Sequence, residues 1–374
     1  MTQTTTPTLF QRLLLPGFAF KAVVIGGGYA TGRELAEFFI PSGPWGGLAA
    51  IAVATIIWSA VTTVTFLFAR ATGTRDYRSF FRELLGPAAI LFEIAYVLFV
   101  ILILAVFGAA AGALGAAMLG WPPLVGTLTL MAGIALFATF GNHAVEQLFK
   151  YVSFLLYGVY AIFFVLALST LGDRIATNFA APAPTDGWFG NGVTYAGYNI
   201  IGAVVILPIV RHFTSNRDAV IAGMIAGPLA MIPALAFFIC MIAFYPEIGG
   251  ETLPSDFLLG KLGMPVFHFF FQLMIFSALL ESGTGLVHAI NERIATAWHE
   301  RRSKTLSKPA RAGISLTLLV GCIFIADHFG LVTLIANGYR ILAFVFLAIY
   351  VLPLMTYGIV LLRRRWAQQS VENA

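Results

Sequence analysis

The sequence predicts an all-α membrane protein of ten transmembrane helices, built as two inverted halves of five. Three observations predict it. The 374 residues are 59% hydrophobic and only 10% charged, with a mean hydropathy of +0.88; soluble domains are about 45–50% apolar and about 25% charged. Apolar runs long enough to cross a bilayer recur along the whole chain. Finally, the first run of each half is interrupted by glycines at corresponding depth.

The runs are 13–40, 46–70, 86–118, 122–141, 147–171, 190–211, 218–244, 264–294, 310–328 and 331–362. Each supplies the roughly 20 mostly apolar residues that a spanning helix needs. Joints such as "PSGP", "GWPP", "APAPTDG" and "KPAR" separate them. No soluble segment is long enough to fold alone, so residues 1–374 form one transmembrane domain with repeats at roughly 13–171 and 190–362. The N-terminus offers no short apolar core followed by a small-residue cleavage site, which marks the first run as a retained helix. Cys240 and Cys322 both lie inside apolar runs, which excludes a disulfide framework.

Orientation follows from the basic residues. With the N-terminus in the cytoplasm, the inner segments hold Arg12, "RATGTRDYRSFFR", Lys150, Arg211, Arg217, Arg293, "ERRSKTLSKPAR" and the "RRR" at 363–365. That places 17 of the 22 Lys and Arg inside, the positive-inside pattern of a cell (inner) membrane protein with both termini cytoplasmic. The outer loops keep Arg174 and Lys261 beside five carboxylates. A net charge of +5 spread over six topology-setting segments excludes a nucleic-acid surface. The oligomeric state leaves no trace in the pattern.

Span 1 reads "VVIGGGYATGRELAEFF" over 23–39, and span 6 reads "NGVTYAGYNIIGAVVILPIV". Unpaired backbone is tolerated in a span only where it is buried in protein or lines a cavity. A pair of interrupted helices in matching positions of two halves points to a solute site between them, although glycine also serves close helix packing. Unwinding at Gly26, Gly27 and Gly28 is expected to free carbonyls for a cation and amides near Tyr29–Thr31 for an anion. Tyr195, Tyr198 and Asn199 are the counterparts on span 6, completing a candidate substrate site with Gly26–Gly28, Tyr29 and Thr31. Arg33 and Glu37 are four apart and set to pair; with Glu34 and Arg340 they are candidate gate residues.

Ionisable residues inside the membrane are costly and are functional candidates by default. Span 8, "FSALLESGTGLVHAINER", places Glu281, Thr284, Gly285, His288 and Glu292 on one helical stripe toward the cytoplasm. Glu281 and His288 are candidates for ion or proton coupling, with Ser282 and Thr284 offering hydroxyl oxygens to a Na⁺ ion. The alternative is a satisfied network that locks span 8 to its neighbours. Lys21 is expected either to snorkel to the interface or to occupy the place of a bound cation. Arg340 needs a partner, with Asp327, Glu37 and Glu281 as candidates.

These residues imply a secondary active transporter for a small solute, driven by Na⁺ or H⁺ with no other cofactor, its partners being that solute and the lipid bilayer. A channel or membrane sensor is the alternative. No Walker-type loop, HExxH or G-x-S-x-G pattern is present, and Ser282 and His288 fall on different helix faces, which leaves no signature for ATP-driven transport or intramembrane catalysis.

Through "GGGYATGRELAEFF", "YAGYN" and "ESGTGLVHAINERI", the chain resembles the YkvI-like family of bacterial membrane proteins. That family is related to the amino acid–polyamine–organocation transporters with the LeuT-type fold of five plus five inverted helices. The resemblance implies a small amino acid or related nitrogen compound held between broken helices 1 and 6, at Gly26–Gly28 and Tyr198–Asn199. It also implies a cation between helices 1 and 8, at Ser282 and Thr284. Here those hydroxyls are spaced i, i+2, whereas the better-known sodium sites use adjacent ones.

Overall fold

The computed structural model describes residues 7–140, 143–303 and 305–372; the side chain of Lys150 lies outside the described set. Among these residues the chain is helical throughout. Span 1 is three short pieces, α1 (Leu15–Val24), α2 (Gly27–Ala30) and α3 (Arg33–Phe38). They are followed by α4 (Gly43–Thr72), the amphipathic connector α5 (Tyr77–Leu85), α6 (Ala89–Leu119), α7 (Pro123–Phe140) and α8 (His143–Ala180). Span 6 is again broken, as α9 (Trp188–Asn199), α10 (Gly202–Val205) and a tight 3-10 stretch over Leu207–His212. Then come α11 (Asn216–Ile242), α12 (Pro254–Leu262), α13 (Pro265–Arg302), α14 (Lys308–Thr333), α15 (Arg340–Phe346) and α16 (Ile359–Glu372).

Six of the described helical runs are long and apolar enough to cross a membrane, and a shorter apolar helix covers Pro123–Ala138. Among the described residues these are fewer than the ten expected. Spans 1 and 6 are cut into pieces, and the last 60-residue run, Pro309–Gln368, is interrupted at Gly330, whose φ of 70° leaves the helical region.

The helices pack as two groups. α4 and α11 make the most extensive contact, with α1 and α9 against them; α6, α7, α13 and α14 form the second group. Small residues set both. Cβ atoms at Gly223 and Gly227 of α11 would strike Thr63 and Ser59 of α4, and Ser59 Oγ donates to the Met224 carbonyl at 2.9 Å. The run "GAAAGALGAA" likewise brings α6 onto α7: Gly112 and Gly126 have no room for a Cβ, and Thr127 Oγ1 donates to the Gly108 carbonyl at 2.8 Å. Without a hydrophobic force between helices in lipid, such close approach is what holds them together.

Polar contacts collect at the two ends. Arg12 pairs with Asp218 at 2.7 Å. Arg70 donates to Asn216 and to the Phe213 and Thr214 carbonyls, and Arg365 reaches the Ala71 carbonyl and Glu83. Both ends of the described chain therefore lie on one face. On that face Arg293 pairs with Glu93 while lying over the rings of Tyr77 and Tyr96, 4.5 and 4.4 Å from their centroids. The opposite face is fastened by Trp45 Nε1 to the Phe179 carbonyl at 3.0 Å and Asn178 Nδ2 to the Ile242 carbonyl at 2.7 Å.

Candidate functional site

Span 1 breaks differently from the expectation. The non-helical residues are Ile25 and Gly26, then Thr31 and Gly32, whereas Gly27 and Gly28 form part of the short turn α2. Gly26 N–H donates to the Val24 carbonyl at 2.9 Å, a local turn that stops α1. Gly32 has φ +79°, and a Cβ there would meet Phe237 at 2.5 Å, so conformation and space both require glycine. The glycine triplet drew attention in the sequence; the lone glycine before Arg33 makes the sharper turn.

The backbone around this double break is largely engaged. Ala30 N–H donates to the Gly26 carbonyl and Gly32 N–H to the Tyr29 carbonyl, at 3.1 and 3.0 Å. The Thr31 carbonyl accepts from Ser255 N–H at 3.0 Å, and the Ala30 carbonyl accepts from Tyr160 Oη at 3.2 Å. α3 has only six residues. Of the amides near Tyr29–Thr31, that of Ala30 is thus paired within the break, and Thr31 Oγ1 accepts from the Arg33 N–H at 3.3 Å.

Arg33 and Glu34 leave α3 toward different partners. Arg33 Nη2 pairs with Glu37 at 2.6 Å, while its Nη1 donates to the Gly249 and Glu251 carbonyls at 2.9 and 2.8 Å. This ties span 1 to the loop before α12 and forms one wall of a cavity of about 280 Å³ with Ile40 and Tyr245. Glu34 points inward instead. Its side chain is 4% exposed and accepts from Tyr198 Oη at 2.5 Å, joining the break of span 1 to the last turn before the break of span 6.

Around that carboxylate stands a set of tyrosines. Tyr29, Tyr195, Tyr198 and Tyr339 are all fully buried, and Tyr198, which bonds Glu34, packs against both Tyr195 and Tyr339. Tyr198 lies 4.4 Å from Tyr339 and, edge-on, 5.7 Å from Tyr195, measured between ring centroids. Phe38, Phe39 and Trp58 back Tyr195, and Trp58 Nε1 holds the Ala196 carbonyl at 3.2 Å. The hydroxyls of Tyr29, Tyr195 and Tyr339 have no hydrogen-bond partner among the described residues. Asn199 is buried and donates to the Tyr195 carbonyl at 3.2 Å, within its own helix. On the other side of Tyr29 lies a second cavity of about 190 Å³, lined by Lys21, Ile25, Tyr160, Phe164 and Pro233.

Several expected residues stand elsewhere. Lys21 is 8% exposed and lines that second cavity. Arg340 is exposed and has no ion-pair partner among the described residues, none of Asp327, Glu37 and Glu281 reaching it. It is therefore not part of the closure made by Arg33. Its neighbour Tyr339 faces the cage in its place. On span 8, Glu281 and Ser282 are half-buried, Thr284 is buried, and His288 and Glu292 are exposed; Glu292 pairs with Arg311. Thr284 Oγ1 donates to its own helix at Leu280, 2.7 Å away. Residues i and i+2 project about 200° apart around a helix, so Ser282 and Thr284 do not converge on one Na⁺ ion. No cluster of three or more His, Cys, Asp or Glu suited to a metal occurs among the described residues.

Tyr339, Tyr160 and Gly32 escaped the sequence reading. The signal for Tyr339 was the polar group "NGYR" inside an apolar span, where the charge of Arg340 drew the attention.

No family model matches the chain. Over 340 residues it is 23% identical to the uncharacterized membrane protein YkvI of Bacillus subtilis (strain 168), covering 88% of this chain and 92% of that one. The resemblance carried by the glycine and span 8 motifs is thus borne out as homology. Among solved structures, MhsT in complex with L-phenylalanine superposes with a TM-score of 0.58 at 14% identity, covering 96% of this chain and 98% of that one. Mhp1 in its inward-facing conformation gives 0.58 at 14% identity, covering 94% and 80%. The manganese transporter of Eremococcus coleocola gives 0.57 at 15%, covering 91% and 78%. These likenesses show that the chain has the LeuT-like, all-helical membrane fold of those transporters.

Proposed function

We propose that this protein is a secondary active transporter for a small nitrogen-containing solute, working by alternating access about the breaks of spans 1 and 6. The observation that carries the reading is the buried Glu34–Tyr198 hydrogen bond, which joins the two breaks beside the rings of Phe38, Tyr195 and Tyr339. Cavities lie on either side of the segment that holds Glu34, one lined by Arg33 and one by Tyr29. The solved neighbours support the reading: MhsT is seen with L-phenylalanine, and another neighbour, at 15% identity, is a Na⁺-coupled sialic acid symporter.

In this scheme the ten spans form five-plus-five inverted repeats, and the group built on α4 and α11 rocks against the group built on α6 and α13. The basic face that carries both chain ends is cytoplasmic. Arg33, Glu37 and the carbonyls of Gly249 and Glu251 form the outer closure, and Arg293 with Glu93 the inner one. The driving ion is Na⁺ or H⁺. Uptake into proteoliposomes tests the proposal: solute should accumulate when an ion gradient is imposed and stop when it is collapsed. Flux that never exceeds equilibration under any gradient would leave a channel or facilitator instead.

A further inference from the structure

We propose that the cavity between the last turn of α4 and the far end of span 6 binds a phosphate group, carried by a lipid headgroup or free in solution. The cavity lies on the basic face that holds both chain ends, beyond the break of span 6, and the inference does not depend on transport.

The charge balance comes first. The cavity has a volume of about 170 Å³ and is lined by Arg70, Thr74, Arg75 and Arg211, with Val210 and Phe213. A single water needs only about 15 Å³. Guanidiniums from two segments far apart in sequence thus meet at one hollow, and no carboxylate lines it among the described residues. The acids nearest in sequence are occupied: Asp76 caps α5 by accepting from Ser79 N–H at 3.0 Å, and Asp218 pairs with Arg12 at 2.7 Å. Arg75 and Arg211 are exposed and make no ion pair among the described residues. Orienting a span needs only basic residues near its end; their convergence on one hollow does not follow from that rule.

The walls are fixed by bonds that leave donors to spare. Arg70 donates from Nε to Asn216 Oδ1 at 2.8 Å, and from its terminal nitrogens to the Phe213 and Thr214 carbonyls at 3.1 and 3.2 Å, which holds the end of span 6 against α4. Each terminal nitrogen keeps a further N–H. Arg211 uses only its Nε, toward His212 at 3.4 Å. The carbonyl end of α4, which would repel an anion, is covered: the Ala69 carbonyl accepts from the Gly73 and Thr74 N–H groups, and the Ala71 carbonyl from Arg365. A phosphate matches this set, because guanidinium forks take its oxygens in pairs. Basic pockets at the ends of membrane helices hold phospholipid headgroups by the same chemistry, and Val210 and Phe213 supply an apolar flank.

The experiment is hydrogen exchange on the purified full chain, with two probes. One is phosphatidic acid titrated into phosphatidylcholine nanodiscs; the other is inorganic phosphate titrated against chloride at equal ionic strength. At least one probe should slow exchange in both 69–75 and 207–213. Protection by phosphatidic acid alone identifies a lipid headgroup, and protection by inorganic phosphate identifies a soluble anion. Arg75→Gln and Arg211→Gln alter exposed side chains and should fold as wild type, yet each should weaken the effective probe about tenfold, the loss of a charge-assisted bond. Arg364→Gln removes an exposed arginine of α16 outside the cavity and should weaken it no more than about twofold, as a screened distant charge. Protection by neither probe overturns the proposal. So does an equal loss at Arg75, Arg211 and Arg364, which would report only the general pull of a basic face, and so does no loss at Arg75 and Arg211.

Discussion

Glu34 and Glu281, two carboxylates in membrane-spanning helices without an ion-pair partner among the described residues, live in different surroundings. Glu281 is half-buried at the head of a stripe whose lower members, His288 and Glu292, are exposed. Glu34 is buried and bonded across the breaks to Tyr198, whose ring packs against Tyr195 and Tyr339 from two separated stretches of chain. A stripe on one helix can be read from spacing, because 3.6 residues per turn fixes it. A cage assembled from spans 1, 6 and 10 has no spacing to read. The residue that looked more functional in the sequence is thus the less enclosed of the two.

The contrast is sharpest at the carboxylates themselves. Glu34→Gln should cut ion-driven uptake by about 100-fold, the loss of a charge-assisted interaction of about 3 kcal/mol, whereas Glu281→Gln should cost less than about tenfold. Initial uptake rates in proteoliposomes decide it, and the reverse order would return the coupling role to span 8. Next in size is the turn that aims Glu34. Gly32→Ala should lower stability by about 1–3 kcal/mol through its left-handed φ and the Phe237 ring, while Gly285→Ala, in α13 with open space around it, should be nearly silent. Equal melting temperatures for the two variants would remove the glycine requirement from the turn before Arg33.

A smaller effect is expected at the outer cover. Arg33→Lys cannot keep two carbonyls and Glu37 in one planar fork, so hydrogen exchange should rise around Gly249–Glu251 by a protection loss of about 1–2 kcal/mol, with the exchange of α13 unchanged. Uniform exchange in wild type and variant would remove Arg33 from the closure. Smallest of all, Tyr339→Phe should leave the melting temperature almost where it was, because it removes a buried hydroxyl that has no partner among the described residues. A drop of several degrees would reveal a bond that the cage geometry does not show.

Much of the fold was legible because membrane insertion writes its rules locally. Apolar runs, Pro/Gly joints and the small-residue run of span 3 each follow from a short window. So did the Arg33–Glu37 pair, an i, i+4 relation observed at 2.6 Å. The site was legible only in part. The tyrosines of span 6 and Glu34 were named, but Gly32, Tyr160 and Tyr339 were passed over, and Arg340 and the Ser282–Thr284 pair were given roles their positions do not support. In each case the missing knowledge was which neighbour lay across a helix interface.

By itself, then, the sequence determined that the chain is a helical membrane protein and that its first and sixth spans break, because hydropathy and glycine act through the backbone they belong to. Only the tertiary structure decided which of two adjacent residues, Arg33 or Glu34, faces the loop and which faces the cage. A rotation of about 100° separates neighbours on a helix, and what they meet on either side is set by helices more than a hundred residues away.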